Sequence, residues 1–386
     1  MVNVLTLLES LAPPWLACEW DNSGLQVGNP RATVNHILLA LTPEEKVVAE
    51  AISIKADLII THHPLFFSPI KSLTTDNPTA RIARQLISSD INLYCAHTNL
   101  DASDQGVSQI LAERVGLENL SVLDPGFERE YKLVVFVPEE QAGKIIKVME
   151  EHGGKPVGNY TSCTFRSPGT GTYRPGKGAR PYKGVEGELS QVPEVRLETL
   201  VAEAEKNRLI NAIIKVHPYE EAALDVYPLK PVKTGYGFGR LGDLSRPVTL
   251  AEWGKEIKEK LDLPGLRMVG NPESLIKRVA VVGGSGGDYI KSALARGAEA
   301  LITGDVRYHQ ALEARASNLA VLDIGHFASE SMTMNFLFSY LKERLENIGS
   351  SIEISLSRES RGPFNFYCEN TGVESPLSWG ENQLFS

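Results

Sequence analysis

The chain has 386 residues, 42% of them hydrophobic and 23% charged, with a formal net charge of −9. That length favours two or three domains over a single core, and the composition is that of an ordinary globular protein. The acidic balance disfavours nucleic acid as a partner, because such binding needs a basic stripe to displace counterions from phosphates.

The start lacks the basic and apolar regions of a signal peptide. No stretch approaches the roughly 20 apolar residues of a membrane span. Cys18, Cys95, Cys163 and Cys368 form no CxxC pair and read as reduced thiols. A cytoplasmic location is expected. Val2–Leu11 carries apolar residues at helical spacing, and Pro13-Pro14 ends it. Strands follow at His36–Leu41, Ala56–Ile60 and Ile91–Ala96, with helices at Glu44–Ile54, Thr79–Ser88 and Gly106–Val115. Alternation of this kind predicts a mostly parallel sheet covered on both faces.

The pattern changes near Glu130. A strand at Tyr131–Val137 and a helix at Glu139–His152 precede a Gly/Pro-rich stretch, Gly153–Gly187, suited to hairpins and loops. A helix is predicted over Leu197–Ile214 and a strand over Val226–Leu229, a self-contained order like that of a ferredoxin-like unit. From about Gly235 the first pattern returns. Helices are predicted at Leu250–Leu261, Tyr289–Arg296, Tyr308–Ala314 and Met332–Glu346, and strands at Arg278–Val282, Ala300–Thr303, Ala320–Ile324 and Ile352–Leu356. The expected organisation is an α/β core formed by 1–129 and 236–371, an α+β insertion at 130–235, and a loosely held tail at 372–386.

Three predicted strands run into histidine-bearing motifs: Thr61-His62-His63-Pro64, His97-Thr98-Asn99-Leu100-Asp101, and Gly325-His326-Phe327-Ala328-Ser329-Glu330. Open parallel sheets place their ligands beyond the carboxyl ends of strands. A helix beginning at once after Gly325 would put His326 and Glu330 on one face. Adjacent His62 and His63 diverge on an extended chain and converge only in a tight turn. Imidazoles with carboxylates suit Zn, Mn or Fe, and a carboxylate can bridge two ions.

These segments carry a resemblance. Glu19–Gly28 (EWDNSGLQVG), Asp57–Phe66 (DLIITHHPLF), Ala96–Asp101 (AHTNLD), Leu301–Ala311 (LITGDVRYHQA) and Asp323–Glu330 (DIGHFASE) resemble the YbgI-type dinuclear metal-centre family. That family is also called the NGG-interacting-factor family or GTP cyclohydrolase 1 type 2 homologues. Gly169–Pro175 (GTGTYRP) and His217–Ala223 (HPYEEAA) resemble the PII/CutA-like insert of its longer members. The resemblance implies a two-lobed α/β core and two divalent ions per subunit (Zn, Fe or Mn). It implies His62, His63, Asp101, His326 and Glu330 as ligands, with Glu330 as the bridge. His97 is then either a further ligand or a partner behind one. A ring-shaped homohexamer is also implied. Thr42 departs from the pattern, since members commonly carry Asp at that strand end.

Two functions follow as expectations. One is a metal-dependent hydrolase of GTP cyclohydrolase type, acting on a nucleotide-like small molecule with His97 carrying a proton. The other is a non-catalytic metal-handling or regulatory protein. Asp305 is expected to line the pocket without ligating metal, and the glycines of VVGGSGGD to serve a tight turn.

Overall fold

The computed structural model describes residues 1–125, 130–157, 160–229, 236–368 and 372–374. The chain divides into two compact units, one made of Met1–Gly126 with Gly235–Ser386 and the other of Phe127–Thr234. In chain order the strands are β1 (Gly24–Val27), β2 (His36–Ala40), β3 (Leu58–Thr61), β4 (Asn92–Cys95) and β5 (Glu118–Pro125). Then come β6 (Glu130–Pro138), β7 (Thr164–Tyr173), β8 (Ser190–Ala202) and β9 (Leu224–Leu229). The last group is β10 (Gly237–Thr249), β11 (Arg267–Val269), β12 (Leu275–Ser285), β13 (Ala300–Gly304), β14 (Ala320–Asp323) and β15 (Glu353–Leu356).

The first unit holds two sheets. One has the order β1-β4-β3-β2-β15 and is parallel except for β1. Its inner strands are continuous apolar runs because both faces are covered. Ile37, Leu39, Leu58 and Ile60 turn to one face, against the helices Val2–Leu11 and Met332–Asn347. Leu38, Ala40, Ile59 and Leu93 turn to the other, against Glu45–Ser53 and Pro78–Ser88. Local chemistry starts the last of these helices: the Asn77 side chain accepts from the Ala80 N–H at 3.1 Å, and Pro78 opens the first turn. Its Leu86 is fully buried, so truncation to alanine would cost about 2–5 kcal/mol.

The second sheet has the order β11-β14-β13-β12-β10-β5. Only β12, β13 and β14 run parallel; β10, β5 and β11 add antiparallel edges. The expectation of a mostly parallel sheet therefore holds for the first sheet, and the second is mixed. Each sheet borrows a strand from the other core segment: β15 pairs with β2, and β5 pairs with β10. Of the 372–386 segment expected as a tail, Gly372–Glu374 pairs with Phe366–Cys368, and 375–386 lies outside the described residues.

The second unit is a four-stranded antiparallel sheet, β7-β8-β6-β9, with helices Ala142–Glu151 and Glu203–Val216. The helix expected over Leu197–Ile214 is corrected here, because 197–202 belongs to β8 and the helix starts at Glu203. Val195, Leu197, Thr199 and Val201 are buried at a period of two, and pairing with β6 overrides the helix propensity of the Leu/Glu-rich run.

Candidate metal centre

In the first unit, parallel strands of both sheets end around one site. Past β3, the Thr61 hydroxyl donates to the His63 carbonyl at 2.8 Å, and the chain turns so that the His62 and His63 rings stand 5.2 Å apart. The His62 ring is fully buried, and its Nδ1–H donates to the Ala96 carbonyl at 2.8 Å. This fixes the tautomer and leaves the Nε2 lone pair facing inward. That atom has no hydrogen-bond partner, and Asp101 Oδ1 and Glu330 Oε1 each lie 3.6 Å from it. A buried ring nitrogen held at that distance from two carboxylates takes either a proton or a cation, and the donor set fits a divalent ion.

Past β14, Gly325 adopts a φ of 82° and the short helix His326–Glu330 begins at once. His326 Nε2 and Glu330 Oε2 meet at 3.1 Å across the i,i+4 step. His63 Nε2 lies 2.9 Å from the same oxygen and 3.3 Å from His326 Nε2. The two oxygens of Glu330 thus face different imidazoles, Oε1 toward His62 and Oε2 toward His63 and His326. Gly284 makes this possible: a Cβ there would stand 2.3 Å from Glu330 Oε1. The glycine run of VVGGSGGD serves this close approach as well as the turn.

Past β4, His97 Nδ1 meets Asp21 Oδ1 at 2.7 Å, and Asp21 Oδ2 accepts from the Thr98 backbone and hydroxyl. Donor atoms of His62, His63 and Glu330 form one group close enough to share an ion, and those of His62, His97 and Asp101 form another. Every residue singled out in the sequence, His62, His63, His97, Asp101, His326 and Glu330, is brought to this one place.

The electrostatics follow from burial and crowding. Burial alone would depress the His62 imidazole, but the Asp101 and Glu330 carboxylates outweigh it and raise it to about 9. For His326, burial is likewise outweighed by Glu330 and Asp305, which raise it to about 9. Burial lowers His63 despite its bond to Glu330. Burial pushes Asp101 up to about 6 against the pull of His62. Glu330 resists its own burial, and the surrounding imidazoles hold it well below the usual carboxylate range.

Residues outside the expected ligand set complete the site. Asp305 Oδ2 holds His326 Nδ1 at 2.7 Å, and Ser285 Oγ donates to the same oxygen at 3.0 Å. Asp21 orients His97, and Thr42 Oγ1 meets His63 Nδ1 at 2.8 Å. Asp21 lies inside the segment EWDNSGLQVG, but nothing in that segment alone marks it as the partner of a histidine 76 residues away. Beside His97, the rings of Trp20 and Phe67 lie 5.6 Å apart and are 59% and 62% exposed.

Fold and site together define an α/β protein with a candidate divalent-metal centre at the carboxyl ends of its parallel strands. The chain belongs to the Duf34/NIF3 (NGG1p interacting factor 3) family, whose model matches residues 1–363. It is 39% identical over 369 residues to the GTP cyclohydrolase 1 type 2 homolog of Halalkalibacterium halodurans, covering 94% of this chain and 98% of that one. The corresponding protein of Bacillus subtilis is 38% identical over 365 residues, with 94% and 98% covered. Among solved structures, a Bacillus cereus protein related to NIF3 aligns with a TM-score of 0.77 at 38% identity, covering 94% and 98%. Reduced HcgD from Methanocaldococcus jannaschii shares the fold, with a TM-score of 0.56 at 22% identity and 92% and 96% covered. No helix among the described residues is long and apolar enough to cross a membrane.

Proposed function

We propose that each subunit binds two divalent ions, of the Zn, Fe or Mn class, through His62, His63, Asp101, His326 and Glu330, with Glu330 bridging. The observation that carries this reading is the split of Glu330: one oxygen faces His62 and the other faces His63 and His326. Three imidazoles and two ligating carboxylates suit borderline ions better than Ca or Mg, which prefer all-oxygen shells. Asp305, Asp21, Thr42 and the Ala96 carbonyl each hold the second nitrogen of one imidazole, so all four rings are oriented in advance.

The activity supported best is a metal-dependent hydrolase acting on a nucleotide-like molecule. A bound ion pair supplies an activated water and polarises a substrate oxygen. His97 carries the proton, since Asp21 occupies Nδ1 and leaves Nε2 for the reacting side. Trp20 and Phe67 offer flat apolar faces to a heterocycle beside His97. The name GTP cyclohydrolase 1 type 2 homolog, borne by its relatives, agrees with such a substrate. A second reading makes His97 a ligand, because its donor atom stands with those of His62 and Asp101. Metal content of His97→Ala separates the two: two equivalents retained with turnover lost supports the proton carrier, and loss of one equivalent supports the ligand.

The homohexamer belongs to the same proposal, to be read from the mass in solution. The βαββαβ order of the second unit supports reading it as a ferredoxin-like insertion. A screen of metal-loaded protein against purine and pyrimidine nucleotides tests the hydrolase. Metal-dependent turnover that falls with Trp20→Ala and His97→Ala is expected. No turnover with any nucleotide, alongside ready exchange of the bound ions, would favour the metal-handling alternative.

A further inference from the structure

The segments GTGTYRP and HPYEEAA take no part in the metal centre. In the second unit they line a cavity of about 490 Å³, within the size range of small-molecule sites. Its walls are aromatic. The Tyr173 and Tyr219 ring centroids lie 5.9 Å apart at 65°, and those of Tyr182 and Tyr219 lie 6.1 Å apart at 52°. Three non-parallel rings line one space, and aromatic rings of this kind can hold a cation.

At the base stands Glu194, which is 9% exposed. Its Oε1 accepts from the Tyr219 hydroxyl at 2.5 Å. Gly171, on the neighbouring strand β7, leaves room for the other oxygen: a Cβ there would stand 2.2 Å from Glu194 Oε2. Among the described residues, no lysine or arginine pairs with this carboxylate. Arg180 pairs with Glu220 at the rim, and Lys183 pairs with Glu140 while its Nζ stands 5.8 Å from the Tyr182 ring centroid. Nor does His217 supply a charge. Its Nε2–H donates to the Phe136 carbonyl at 3.0 Å and its Nδ1 accepts from the Tyr219 N–H at 3.2 Å, which is the neutral form. A buried carboxylate without a counter-charge is costly. With Glu220 and Glu221 also lining the cavity, the charge left there is negative.

We propose that this cavity binds a small organic cation of the alkylammonium class, with Glu194 as its counter-charge and Tyr173, Tyr182 and Tyr219 as its walls. A bare metal ion is the poorer occupant, because one buried carboxylate among phenol rings does not supply the several oxygen ligands that hard cations require. An alkylammonium group gains from both features at once: the rings take its dispersed charge and methyl groups, and the carboxylate takes its net charge.

The test is calorimetric titration of the full chain with choline and with its uncharged isostere, 3,3-dimethylbutan-1-ol. Choline should bind saturably and at least about ten-fold more tightly than the alcohol. Glu194→Gln keeps the volume and the acceptor for Tyr219 and should weaken choline binding by about ten-fold or more. Tyr182→Ala, at a position 43% exposed where folding is not at stake, should also weaken it. Metal content should stay unchanged in both variants, which separates this site from the metal centre. Failure of choline to saturate by roughly 10 mM, a weaker limit than a millimolar site would show, would overturn the proposal. So would equal binding of the alcohol, or unchanged binding in both variants.

Discussion

Replacing Glu330 by glutamine should strip metal from both halves of the centre at once. The side chain is 5% exposed and glutamine is isosteric, so the loss is one of charge and not of packing. The carboxylate is shared by His62 on one oxygen and by His63 and His326 on the other. A divalent ion and a unit charge about 4 Å apart attract by about 8 kcal/mol at an effective dielectric near 20. Even half of that, lost at each ion, is about three powers of ten in affinity. Wild-type protein dialysed against buffered metal should keep two equivalents per subunit, and Glu330→Gln well under one. Asp101→Asn, which touches one group only, should keep close to one. Elemental analysis of the dialysed proteins reads the difference. A Glu330→Gln protein holding as much metal as Asp101→Asn would refute the bridge. His152→Ala and His309→Ala are the controls. His36 is less suitable as one, because its ring bonds to the Ile54 carbonyl and the Ser355 hydroxyl.

In the metal-free protein His62 and His326 are raised to about 9, above the unfolded value near 6.5. Their contribution to metal-free stability is therefore full below about pH 6.5 and lost as pH rises through about 9. Thermal melts should show the metal-free protein weakening over that window while the loaded protein does not; parallel curves would contradict this. Loading at pH 7.5 should release about two protons per subunit, and fewer at pH 10, as measured in weakly buffered solution. Asp305→Asn loosens His326 and should cost about 10- to 100-fold in metal affinity, read by competition with a chelator; an unchanged affinity would remove Asp305 from the site. Thr42→Asp puts a carboxylate on His63 Nδ1 and should hold metal to lower pH, and earlier release would show that the charge is not felt there. Deleting 127–234 with a short linker should leave a folded core with full metal content, because Pro125 and Gly237 are cross-strand partners. An insoluble or metal-free product would make the insertion integral to the core.

Much of the candidate site was legible because its histidines sit at strand ends that announce themselves. LIIT and NLYC are fully buried runs; the first runs straight into His62, and only Ala96 separates the second from His97. The His326–Glu330 pair was legible from spacing alone, since Gly325 lets the helix start at once. What was hidden depends on long-range pairing. Asp21 reaches His97 across 76 residues, and a lone aspartate carries no periodic signal; Asp305 was expected at the pocket, but its bond to His326, 21 residues on, was not. The mixed second sheet was hidden because β5 and β10 lie on either side of the second unit in sequence and meet only on folding. Residues 197–202 were misread because LETLVA suits a helix locally, and only the ladder to β6 makes its two-residue alternation decisive.

The most direct test of the central claim is anomalous diffraction from crystals loaded with zinc or manganese. Two peaks per subunit are expected, one on each side of the Glu330 carboxylate. One should lie against His62 and Asp101, the other against His63 and His326. A single peak, or peaks that do not contact Glu330, would contradict a dinuclear centre bridged by that residue.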